Sequence, residues 1–202
     1  MLAKYNILTV THKRTNLKDI GDFVIKVDDQ EALKQQLQQL KAQFQIDELF
    51  YLPTCNRVMY FFTTNHQVDE RFIARFFQRI NPDMPIELED ELDDIVYHYQ
   101  GEEALRHFFD VSASIDSLVI GERQILRQIR EAYELCHSWG TTGEYIRLVF
   151  QQAVVAAKAV YNRTRIGDKP VSVVSLAFQQ MLKSHVHKGD RVLLVGAGQT
   201  NQ

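Results

Sequence analysis

A chain of 202 residues, 45% apolar and 24% charged, has the balance of a globular protein with a proper core, and its 9 Gly and 4 Pro exclude a low-complexity chain. A formal net charge of −3 excludes a generally basic nucleic-acid binder, though a local basic face survives that average. Two cysteines, Cys55 and Cys136, fit neither a disulfide framework nor a zinc spacing, and no run reaches the ~18 apolar residues of a membrane span. No metal is expected. The start, MLAKYNILTV, lacks a signal-peptide pattern, so a reducing cytoplasm is the expected location.

In chain order, Tyr5–Thr11 is rich in β-branched residues and reads as a buried strand. Gln30–Phe44 carries Leu33, Leu37, Leu40 and Phe44 at helical spacing. Asp47–Leu52 and Val58–Thr63 are strands joined by Pro53-Thr54-Cys55-Asn56-Arg57. Val68–Ile80 is a helix with an aromatic face, and Ile95–Tyr99 a short strand. The order strand, helix, strand, strand, helix, strand predicts a split βαβ, ferredoxin-like α+β sheet with helices on one face. Asp19–Val27 has the composition of a further irregular strand.

From Gly101 the pattern turns helical, over Glu102–Val111, Glu122–Ser138, Glu144–Thr164 and Ser172–Ser184. Arg191 to Val195 then runs as a buried strand into Gly196-Ala197-Gly198, the way a Rossmann unit opens. The third fingerprint position is Asn201 rather than glycine, so the match is partial, and an ordinary strand-to-helix turn stays open. The organisation expected is a substrate-binding domain over 1–165, with a βαββαβ part (1–100) and a helical part (101–165). The first strand and turn of a truncated Rossmann domain follow over 166–202.

Cys55 sits in a polar turn between apolar strands, with Arg57 close in sequence, and a nearby guanidinium favours the nucleophilic thiolate. The same context also suits a surface cysteine in a hairpin. Cys136 shares a helix face with Ile125, Ile129 and Ala132, which points to core packing. His107, among Leu105, Phe108 and Phe109, fits a hydrogen-bonded core histidine. Gln124 and Gln128 stand four apart, so their amides share one helix face, lining a polar pocket or meeting solvent. Between Thr141 and Arg191, Lys and Arg outnumber Glu144, Asp168 and Asp190, as on a solvated helix or a surface that meets a polyanion.

In this order the segments Thr11-His12-Lys13, Thr54-Cys55-Asn56-Arg57, His107-Phe108-Phe109-x-Val111, Ile115 through Gly121-Glu122-x-Gln124-Ile125-Leu126, Val171-Ser172-Val173 and Val195-Gly196-Ala197-Gly198 resemble the glutamyl-tRNA reductase family. The resemblance runs from near residue 5 to the chain end. It implies an NADPH-dependent reduction of glutamyl-tRNA(Glu) to glutamate-1-semialdehyde with release of tRNA, the first step of tetrapyrrole synthesis. Cys55 would be the nucleophile that forms a thioester, and His107 an activity-linked residue. Thr54, Asn56, Arg57, Ser117, Glu122, Arg123, Gln124 and Gln128 would contact substrate, with Arg57 gripping the glutamate carboxylate. Gly196, Ala197, Gly198, Gln199, Thr200 and Asn201 would belong to the NADPH site.

The resemblance also implies homodimerisation through a C-terminal domain beyond this chain, and hand-over to glutamate-1-semialdehyde aminomutase. An open half of a nucleotide unit is not expected to complete the reduction. The sequence departs from the family at Ser114 and Arg127, where glycine is usual, and at Gln199, where glutamate is common. Two competing readings are a thiol acyltransferase or hydrolase that needs no tRNA, and a non-catalytic tRNA- or partner-binding module indifferent to Cys55→Ser.

Overall fold

A computed structural model describes residues 2–84 and 91–167, together with 178 and 180–183. The described chain is mixed α and β around one four-stranded sheet of order β2-β3-β1-β4, with every neighbouring pair antiparallel. The strands are β1 (Tyr5–Thr11), β2 (Glu48–Thr54), β3 (Arg57–Thr63) and β4 (Tyr97–Gln100). Helix α1 (Leu17–Ile20) and α2 (Gln30–Gln43) lie between β1 and β2, and α3 (Glu70–Ile80) and α4 (Leu92–Ile95) lie between β3 and β4. Three further helices follow: α5 (Glu102–Ser112), α6 (Gln124–Ser138) and α7 (Glu144–Arg163).

Every residue of the two central strands is buried, so they show no polar–apolar alternation. Both faces of the sheet are covered. Successive side chains point to opposite faces. Tyr60 and Phe62 meet Phe76 of α3, while Phe61 meets Phe108 of α5, which also packs edge-on against Phe50 of β2. Each such ring, fully buried, contributes roughly 1.5–3 kcal/mol. Asp29 and Asp69 cap α2 and α3, accepting from the backbone N–H of Ala32 and Phe72.

Helix α7 starts differently. The carboxylate of Glu48, on edge strand β2, accepts from the N–H groups of Tyr145 (3.0 Å) and Ile146 (2.7 Å). A Cβ at Gly143 would lie 2.6 Å from that carboxylate, so only glycine lets it approach. Leu49 N donates to Thr141 O (2.8 Å), which occupies part of the outer edge of β2.

Several boundaries differ from expectation. The two hairpin strands run on to Thr54 and from Arg57, leaving only Cys55 and Asn56 as the turn. Pro53 does not end β2, because an edge strand has an outer side that needs no N–H. Asp19–Val27 forms no strand: it holds the end of α1 and a 3-10 turn over Gly21–Phe23. Its backbone groups bond to side chains instead of a ladder, Phe23 O accepting from the Tyr60 hydroxyl and Ile25 N donating to the Tyr51 hydroxyl. Helix α6 starts at Gln124 rather than Glu122. Of the helix expected over Ser172–Ser184, only 178 and 180–183 are described, and these are helical. The strand from Arg191 and the turn from Gly196 to Asn201 lie outside the described residues.

Candidate active site

The tight β2–β3 turn pushes Cys55 outward as an exposed free thiol. Thr54 and Asn56 flank it; the Thr54 hydroxyl donates across the turn to Arg57 O (3.1 Å) and lies 3.1 Å from the Asn56 side-chain oxygen. His12 N donates to Asn56 O (3.2 Å), tying the end of β1 to the same turn.

A cleft of about 90 Å³ opens beside the thiol. One wall is Thr54, Cys55 and Asn56; a second is the loop residues Ser117, Leu118 and Val119 with Glu122; the third is Gln124, Ile125 and Gln128 at the start of α6. The sequence places Gln124 and Gln128 on one helix face, and that face meets the thiol. Seven of the candidate residues converge here. Arg123 does not line this cleft, and instead lines a separate one between α6 and α7.

The wall loop is held in an unusual backbone. Gly121 has φ 86°, and a Cβ there would fall 2.0 Å from the Ile166 carbonyl oxygen. Ser114 also takes a left-handed φ of 60° while fully buried. Such a conformation costs a non-glycine residue about 1–2 kcal/mol. The Ser114 hydroxyl offsets it by donating to Val119 O (3.3 Å) and accepting from Gly121 N (3.1 Å).

Arg57 and His107 stand apart from the thiol cleft, in a buried ionic cluster beneath the loop. Arg57 donates from Nη2 to Asp116 O (2.8 Å), with the Asp116 carboxylate at 3.4 Å. Its Nη1 lies 3.1 Å from His107 Nε2. A guanidinium only donates, so Nε2 must be the acceptor and the ring proton sits on Nδ1. That Nδ1 lies 3.5 Å from the Asp116 carboxylate, and the ring stacks on Tyr99 at 4.2 Å. Lys13 also pairs with Asp116.

Burial, then the Arg57 guanidinium, push His107 down to about 4, against the pull of Asp116, so the ring is neutral near pH 7. Burial also pushes Arg57 down, opposed by Asp116. For Asp116, burial alone would raise the carboxyl, but Lys13 and Arg57 bring it below its usual range. Asp116 and Lys13 are the site residues that sequence reasoning gave no role. A buried arginine on a strand end demands an anion, and Asp116, between Ile115 and Ser117 in the loop, was the available one.

Cys136 is buried, as its helix face implies. His98 Nε2 lies 3.0 Å from Asn6 Oδ1 on the sheet. Among the described residues no cluster of His, Cys, Asp and Glu is placed to hold a metal, and no helix is long and apolar enough to cross a membrane.

Comparison with known proteins matches this arrangement to one family. The family described as "Glutamyl-tRNAGlu reductase, N-terminal domain" matches residues 8–164. A glutamyl-tRNA reductase of Thermodesulfovibrio yellowstonii is 35% identical over 187 residues, covering 87% of this chain and 42% of that protein. One from Chromohalobacter salexigens is 37% identical over 167 residues, covering 81% and 38%. The solved structure of glutamyl-tRNA reductase from Methanopyrus kandleri shares the fold, with a TM-score of 0.66 at 24% identity over 90% of this chain and 40% of that one. The chain thus spans less than half the length of these relatives. It belongs to the glutamyl-tRNA reductase family, matching that family's N-terminal domain.

Proposed function

We propose that this chain carries the acyl-transfer chemistry of a reductase acting on glutamyl-tRNA(Glu). The Cys55 thiolate forms a C–S bond to the ester carbonyl carbon. The C–O bond to the terminal ribose breaks, and that oxygen leaves as a hydroxyl after taking a proton. An aminoacyl ester is already activated, so an exposed thiol needs no full catalytic triad. NADPH, when bound, supplies the hydride that converts such a thioester into glutamate-1-semialdehyde.

The observation that carries this reading is the convergence of three chain segments on the thiol, with uncharged donors and a single carboxylate around it. Glu122 suits the substrate's α-ammonium, while the amides of Asn56, Gln124 and Gln128 can donate to its carboxylate and ester oxygens. Thr54 and Ser117 add hydroxyls. Arg57 would have to leave Asp116 to grip a carboxylate, so the geometry favours a positioning role for it. His107, neutral and accepting from Arg57, is a positioning residue on the same argument.

The strand order and its two crossovers support a ferredoxin-like split βαβ, while 1–165 as one catalytic domain and 166–202 as the opening of a Rossmann domain rest on the resemblance in sequence. A cytoplasmic location rests on the two cysteines, which fit no disulfide framework, and on the N-terminal sequence. A homodimer and hand-over to the aminomutase rest on the family alone.

Intact mass after brief mixing with glutamyl-tRNA, without NADPH, tests the proposal. A glutamyl adduct on the wild type and none on Cys55→Ser is the expected result. An adduct on both proteins, or neither adduct nor free glutamate from folded wild type, overturns it.

A further inference from the structure

A second cleft, of about 320 Å³, lies between α6 and α7 and is lined by Arg123, Arg127, Arg130, Lys158, Tyr161 and Asn162, with no carboxylate in its walls. Among the described residues, Arg123, Arg130 and Lys158 have no ion-pair partner. Arg127 has Glu131 at 3.6 Å, but both are well exposed, and such a pair is worth little and exchanges readily. In a chain of net charge −3, four cations converging on one cleft repel one another until an anion arrives.

Three features point to a nucleic-acid strand. Arg123, Arg127 and Arg130 run along one helix face for about 10 Å at 1.5 Å per residue, which suits a row of phosphates. The Tyr161 ring sits among them, 5.5 Å from the Arg123 guanidinium and fixed by its hydroxyl donating to Glu122 O (3.1 Å). Such a ring offers a stacking surface to a base. The cleft also neighbours the thiol cleft along α6: Arg123 precedes Gln124, and Arg127 precedes Gln128, by one residue, about 100° around the same helix.

We infer that this cleft binds the phosphodiester backbone of the single-stranded 3′ end of the aminoacyl-tRNA whose ester lies at Cys55. The inference rests on the function proposed above.

Fluorescence anisotropy with a labelled single-stranded RNA hexamer ending in CCA tests it on the 202-residue chain. Arg127→Gln/Lys158→Gln alters two exposed side chains, and circular dichroism checks that the fold is kept. The double variant is expected to raise Kd roughly tenfold at low salt and to lower the slope of log Kd against log salt by about 1.4, at ~0.7 for each phosphate no longer neutralised. An unchanged Kd and slope overturn the inference. Displacement of the RNA by NADPH or inorganic phosphate at equal phosphate concentration makes this a small-anion site and also overturns it.

The adduct assay on the same preparations separates the two claims. Unchanged RNA affinity with normal adduct formation sinks the cleft and keeps Cys55. Weakened RNA binding with no adduct on any protein keeps the cleft and sinks the thioester.

Discussion

Cys55 and Arg57 are two residues apart on one hairpin, yet one is exposed and the other is 3% exposed in an ionic cluster. The turn forces this split: Cys55 is one of its two residues and has no ladder partner, whereas Arg57 opens β3, paired with Thr54 and, on the other side, with Thr11 of β1. The thiol cleft is open and uncharged apart from Glu122. The cluster beneath it is charged: it buries Arg57, lines a separate cleft of about 480 Å³ with Lys13, His107 and Asp116, and ties Asp116 to a strand end. Access and placement are therefore separate tasks. The Cys55 thiol stays accessible, while the loop that carries Ser117 and Glu122 is fixed from below by Arg57 through Asp116.

The strongest way to break this comparison is to remove the anion at the centre of the cluster. Asp116→Ala leaves Arg57 buried and unpaired, which costs roughly 3–4 kcal/mol, toward the low end for a broken buried pair because the Asp116 side chain keeps 18% exposure. Urea denaturation should show that loss, and the adduct should form more slowly in the protein that remains folded. A loss under about 1 kcal/mol would mean the loop is held by the Ser114 and Gly121 backbone alone.

Acid attacks the same cluster without a mutation. His107 titrates near 6.5 when unfolded and about 4 when folded, so from pH 6.5 down to 4 the unfolded state binds the extra proton. Stability is full above that window and falls through it, by at most on the order of 3 kcal/mol. The lowered Asp116 carboxyl adds a loss of the same sign at still lower pH. In His107→Gln the decline between pH 6.5 and 4 should flatten. An unchanged decline would assign it to other groups.

The two regions were not equally legible in the sequence. Composition located the four strands, as short apolar runs, and periodicity the two long helices between them, because each helix buries a face whose spacing is written in Leu, Ile and Phe. Periodicity also put Gln124 and Gln128 on one face. What it missed were the interactions between distant segments. The resemblance gives Arg57 a substrate carboxylate, since a guanidinium grips one bidentately, whereas in the structure it is paired with Asp116, 59 residues away in the chain. Ser114 was noted as a departure at a position where the family usually has glycine, and only the backbone φ of 60° explains why glycine is easy there. Phe23 and Ile25 carry strand-like composition, yet the hydroxyls of Tyr60 and Tyr51 take their backbone groups.

On the open side of the comparison, a substitution should alter chemistry and leave stability alone. Gln128 is half-buried in the cleft wall, and its side chain makes no hydrogen bond to the described residues that truncation would break. Gln128→Ala should therefore change stability by no more than about 0.5 kcal/mol. If its amide donates to the bound glutamyl group, loss of one such bond, about 1–1.5 kcal/mol, slows adduct formation roughly tenfold. Quenched-flow mass spectrometry at saturating and subsaturating glutamyl-tRNA would separate binding from the acyl-transfer step. A rate within twofold of wild type would confine substrate recognition to the turn and the loop. A stability loss comparable to Asp116→Ala would dissolve the distinction, making the cleft wall part of the frame.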